Sequence, residues 1–230
     1  MQFGVCGDTH VAATARRASY DYMEWTVAAL LKPLEADDLF RAGLDAVRAT
    51  EMHFPVANGF VPGDLKITGA DVDDSALRSF VTKTMERAEQ AGVEVIVFGS
   101  GEARLIPQSF EPRLAHDQLV AFCAMVGPVA QDHGVTVVVE PLNRQECNVL
   151  TTVDECAALI NEVACPAIRL LVDAYHLMRD HDAYDSIVTH GALLAHAHIA
   201  TNPNRCAPTG EPCGFSDFFA ALAKARYTGR

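Results

Sequence analysis

Glu140, Asp173 and His198 stand at or near the ends of three apolar runs, Val135–Glu140, Ile168–Asp173 and Leu194–Ile199. Short β-branched runs of this kind read as buried strands. If their C-terminal ends share one rim, two carboxylates and one imidazole meet there. A mixed oxygen and nitrogen donor set suits a divalent ion, Mn²⁺, Co²⁺ or Mg²⁺ first and Zn²⁺ second, better than a thiolate site would. Each residue also has a plainer reading, as the N-cap of the next helix or as a rim ion pair, and residue type alone leaves both open.

The elements that must position these groups follow from periodicity. Strands are expected at Gln2–Cys6, Asp21–Trp25, Ala46–His53, Val93–Gly99, Val135–Glu140, Ile168–Asp173 and Leu194–Ile199. Their nearly continuous apolar character suits a parallel sheet covered by helices. Helices are expected over Asp74–Ala91, Arg113–His133, Thr152–Val163, Tyr184–His190 and Ser216–Arg226, with Gly92 and Gly134 as C-terminal caps and Thr152 opening a capping box. Repeated β-α units with short connections predict an α/β fold, a (β/α)₈ TIM barrel spanning residues 1–230 as a single domain. Tyr227–Arg230 reads as the turn into one more strand, so the expected barrel lacks its eighth strand and last helix in this sequence. A doubly wound open sheet is the runner-up, but no GxGxxG opens a first helix. The stretch Pro55–Asp71 is expected to be a long loop after the third strand, roofing the site.

Three blocks carry a resemblance to a known family: Val137–Arg144 (VVVEPLNR), Val172–His176 (VDAYH) and Ala195–Ala200 (AHAHIA). They resemble the fifth, sixth and seventh strands of the xylose isomerase-like barrel superfamily, in its sugar epimerase branch of D-tagatose and D-psicose 3-epimerases and related sugar phosphate isomerases. The resemblance implies that Glu140 binds a metal and exchanges a proton with the substrate, with Asp173 and His198 as further ligands. It also implies that Glu146 bonds the end of the sugar, His176 contacts a substrate oxygen, and Arg205 grips a hydroxyl. The family's fourth ligand is a glutamate on the eighth strand, which is also its second acid/base. No glutamate of this sequence takes that place in the pattern, so the expectation is either a longer working chain or an incomplete barrel.

That family chemistry is isomerisation or epimerisation of a ketose or related small sugar, by proton abstraction next to a carbonyl through a metal-stabilised enediolate. Two other readings compete. One is a phosphodiesterase of the endonuclease-IV type, which has a three-zinc cluster; the other is a noncatalytic sugar-binding barrel. A net charge of −12 opposes nucleic acid, and no lysine/arginine cluster offsets it. The expected partner is therefore a small sugar, with neither nucleic acid nor membrane, and with self-association into a homo-oligomer left open. The seven cysteines form no CxxC pair, and with no leader segment they are expected to be reduced thiols of a cytoplasmic enzyme. A Cys206–Cys213 pair is the lesser alternative. His196 shares strand parity with His198 and is expected behind the ligands or in the core. His10, His53, Trp25, Phe54 and Phe60 are expected mainly as rim or packing residues.

Overall fold

The computed structural model describes residues 1–208 and 213–230. In it, β1 (Gly4–Cys6), β2 (Tyr22–Thr26), β3 (Val56–Asn58), β4 (Val95–Phe98), β5 (Thr136–Val139), β6 (Ile168–Asp173) and β7 (Leu194–His198) form one sheet in sequence order. Every neighbouring pair is parallel. The connecting helices are α1 (Ala12–Arg17), α2 (Val27–Leu30), α3 (Asp37–Arg48), α4 (Asp74–Ala91), α5 (Gly101–Arg104), α6 (Pro112–Asp132), α7 (Val153–Val163), α8 (Ala174–Asp180), α9 (Asp185–Thr189) and α10 (Ser216–Lys224). This is the curled parallel sheet of the TIM-barrel superfamily with seven strands among the described residues.

Two apolar clusters follow from strand alternation. Side chains of one parity, including Tyr22, Val56, Val95, Val97, Val138 and Leu171, pack together inside the curl. Those of the other parity join the helices in the larger core. Two helices show their local causes most clearly. Asp73 Oδ1 accepts from the Ser75 and Ala76 amides to open α4, and Gly92, at φ 73°, closes it. Thr152 caps α7 through the Glu155 amide, but the Glu155 carboxylate accepts from Thr151 instead of Thr152, so the expected capping box is displaced by one residue.

The expected third strand is a correction. Ala46–His53 is not a strand: Ala46 to Arg48 finish α3, whose Phe40, Leu44 and Val47 bury one face at helical spacing. The true β3 is only three residues, inside the segment expected to be loop, and lies between Pro55 and Gly59. Where an eighth strand would close a barrel, Gly229 and Arg230 bridge the two edges. The Gln2 amide donates to Gly229 O (2.9 Å) and the Ala197 amide to Arg230 O (3.0 Å). No disulfide joins the described cysteines.

Candidate active site

Strand parity and one irregularity build the site. Tyr22 and Val138 face the interior of the curl, and so do Glu24 and Glu140 two residues on, at the C-terminal ends of β2 and β5. Along β6 and β7 the register shifts: Leu170 pairs with Leu194, but Leu171 pairs with His196 and Asp173 with His198. The extra residue in β7 sets His196 level with Leu171 and His198 level with the β6 carboxylate. One ligating atom from each of Glu140, Asp173 and His198 then lies within 4.8 Å of the others.

Each member is fixed separately. Asp173 uses one oxygen as the N-cap of α8, with Oδ1 accepting from the Tyr175 amide at 2.6 Å and from the His176 amide at 3.4 Å. Its Oδ2 faces His198 Nδ1 at 3.9 Å. The two readings that residue type left open, cap and rim ligand, are thus compatible in a single carboxylate. Glu140 Oε1 lies 3.3 Å from His198 Nδ1. Its Oε2 fills the space over Gly99, where a β-carbon would come within 2.4 Å of it. Behind it, the buried Arg104 guanidinium donates to three carbonyls, those of Phe98 (3.1 Å), Glu140 (2.8 Å) and Leu150 (3.3 Å), which ties the ends of β4 and β5 together.

A second trio stands beside the first. The Asn143 amide donates to His176 Nδ1 at 3.0 Å, and Asn143 Nδ2 to Glu146 Oε1 at 2.8 Å. Arg205 Nη1 reaches both Glu146 oxygens at 3.1 Å, and its Nη2 lies 3.2 Å from His176 Nε2. Arg205 also stacks over the Tyr175 ring, 4.9 Å from its centroid. Glu140, Asp173, His198, Glu146 and Arg205 all line one cavity of about 790 Å³, with His176 beneath Arg205. The structure therefore brings all six residues singled out in the sequence to one place.

Electrostatics in the site oppose burial at Glu140 and His198 and add to it at Asp173. Burial would raise the Glu140 carboxyl, but the hydrogen bond and charge of His198 hold it below its usual range. Asp173 is pushed up, first by burial and then by the charge of Glu140. Burial works against a charged His198, yet Glu24 and Glu140 raise its imidazole well above the usual value. Without a cation the site thus holds a proton on His198. Two oxygen donors and one imidazole that concentrate negative charge around one point fit a divalent ion.

Glu24 and Arg104 were missed in the sequence. Glu24 Oε2 lies 3.1 Å from Nε2 of both His196 and His198, and Oε1 accepts from Asn58 Nδ2 at 2.7 Å. A charged residue between Met23 and Trp25, two after Tyr22, is the available signal, the same one that marks Glu140. Cys6, paired in register with Glu24, joins Glu24 and His198 in a second group within 4.8 Å. Burial pushes its thiol up to about 12. Phe54 and Phe60 are buried in the core and do not line the cavity. His53 precedes β3 instead of following it, and its carbonyl accepts from the Met23 amide.

Comparison with known proteins bears on the family and the fold. A protein-family model described as xylose isomerase-like TIM barrel matches residues 12–230. An L-ribulose 3-epimerase of Methylomonas sp. strain DH-1 is 27% identical over 99% of this chain and 78% of its own length. A D-psicose 3-epimerase of Agrobacterium fabrum is 31% identical over 45% of this chain, an alignment that spans only 36% of that relative. Among solved structures, a D-psicose 3-epimerase from Clostridium cellulolyticum H10, with D-tagatose, superposes with a TM-score of 0.86 at 19% identity, covering 100% of this chain and 83% of the other. These relatives are sugar epimerases, and the structural likeness establishes the shared fold.

Proposed function

The chain belongs to the xylose isomerase-like TIM barrel family, and on that premise we propose that it is a metal-dependent isomerase or epimerase of a ketose or related small sugar. One observation carries the reading. Glu140, Asp173 and His198 converge within 4.8 Å, in the same cavity as the Glu146–Arg205 pair.

Glu140, Asp173 and His198 would hold the ion, Mn²⁺, Co²⁺ or Mg²⁺ by donor chemistry. Such an ion, when bound, lowers the cost of charge developing on the sugar oxygens as a carbon-bound proton leaves. The remaining work falls to the chain. Glu140 accepts the proton from the carbon next to the carbonyl. Returning that proton to the neighbouring carbon isomerises the sugar, whereas inversion at one carbon takes a second acid on the opposite face. Glu146 and Arg205 offer an acceptor and a donor for hydroxyls, and the Tyr175 ring keeps the guanidinium in place. Asp173 Oδ1 is committed to the start of α8, which leaves Oδ2 for the site.

The phosphodiesterase alternative has less behind it. The two candidate ligand groups among the described residues share His198 and offer five side chains between them, few for three zinc ions that each take about four ligands. The charge of −12 also repels a phosphate backbone. Deuterium exchange tests the proposal: the chain is incubated with Mn²⁺ in heavy water with D-psicose, D-tagatose, D-fructose or L-ribulose. Wash-in next to the carbonyl of at least one sugar, abolished by Glu140→Gln, is expected; wash-in unchanged in Glu140→Gln rejects the role of Glu140.

A further inference from the structure

His198 has two ring nitrogens that face opposite partners. Nδ1 points to Glu140 Oε1 at 3.3 Å and Asp173 Oδ2 at 3.9 Å, while Nε2 points to Glu24 Oε2 at 3.1 Å. We propose that Glu24 is a positioning residue, which accepts the Nε2 proton of His198 and so leaves the Nδ1 lone pair aimed at the site of Glu140 and Asp173. The inference rests on the metal-site reading above.

Glu24 suits this task because it is itself immobile. It is 2% exposed, and three strands converge on it. Asn58 on β3 donates to Oε1, and His196 on β7 shares Oε2 with His198. His196 is 1% exposed and its Nδ1 meets no partner, so its proton belongs on Nε2, facing the carboxylate. Both Glu24 oxygens are thus engaged, which separates this residue from a proton-transferring base. A carboxylate behind a ligating imidazole fixes the tautomer and the ring orientation and makes the facing nitrogen more basic; losing such a partner costs about 10–100-fold in metal affinity. The contact joins β2 to β7 across the interior of the curl, between residues 174 apart in sequence.

The competing arrangement places an ion between Cys6, Glu24 and the Nε2 face, which would strip the Nε2 proton. Two measurements decide. The first is the dissociation constant for Mn²⁺, read from free-ion electron spin resonance, in the parent and in Glu24→Gln. The variant is expected to bind about tenfold more weakly or worse while melting cooperatively; a smaller change overturns the proposal. The second is ¹⁵N NMR of the Mg²⁺-loaded parent. A protonated Nε2 and an unprotonated Nδ1 on His198 are expected, and the reverse overturns the proposal even if Glu24→Gln fails to fold. Parent binding intact with Glu24→Gln unaffected would sink this inference alone. A parent that binds no ion would sink the functional reading and this inference with it.

Discussion

Asp173 commits one oxygen to the start of α8 and turns the other toward His198, and Glu140 depends on the absence of a neighbour's side chain. Both arrangements are tight enough to test. A β-carbon at position 99 would come within 2.4 Å of Glu140 Oε2. Gly99→Ala should therefore displace the carboxylate proposed as the base and lower kcat by about 10²-fold, with the melting temperature within a few degrees of the parent; an unchanged kcat would show that the carboxylate does not need that space. The raised pKa of His198 has a sign that can be checked. A folded-state pKa above the unfolded value of about 6.5 contributes stability that is full at lower pH and is lost as pH rises through the folded value. In metal-free protein the urea midpoint should accordingly fall as pH is raised above about 6.5, and His198→Gln should flatten that fall. Glu140, Asp173 and His198 were legible because each interrupts an apolar run at its end. Glu24 was not, because its partners His196 and His198 lie 172 and 174 residues away.

Elements place these groups through register. The extra residue in β7 is what levels His196 and His198 with Leu171 and Asp173, and no local sequence pattern announces it. Strands β4, β5 and β6 were readable from nearly continuous apolar runs. The short β3 was not, since Val56–Asn58 is bounded by Pro55 and Gly59, residues that otherwise mark loops. The α3 error arose because Val47 is apolar both in the strand-like run and in the helical series Phe40, Leu44, Val47. Arg104 joins two strand ends from a helix of four residues. Replacing it by Met would take a donor from the Phe98, Glu140 and Leu150 carbonyls, of which Phe98 and Leu150 keep the Glu140 and Leu142 amides, at a cost of about 2–4 kcal/mol. Chemical denaturation should show that loss, and a variant within about 0.5 kcal/mol of the parent would mean that the bracing is dispensable.

At the scale of the molecule, the sheet runs from β1 to β7 with Gly229 and Arg230 bonded to both sides. Arg230 adds an ion pair to Glu94 (2.6 Å) and lies over the Tyr22 ring. Strands β4, β5 and β6 each have full neighbours, whereas β1 and β7 meet only these two residues on their outer sides. Amide hydrogen exchange should therefore be slowest at Val97, Val138 and Leu170 and faster at Val5 and Ala195; equal protection throughout would contradict the open order. No helix of the described residues is long and apolar enough to cross a membrane.

The central claim is that Glu140, Asp173 and His198 jointly hold a divalent ion, and equilibrium Mn²⁺ binding by the parent and Asp173→Ala tests it most directly. The account predicts one ion per chain in the parent and at least about tenfold weaker binding in the variant, which should still melt cooperatively although it loses the cap at the start of α8. Equal metal content in the two proteins would contradict it.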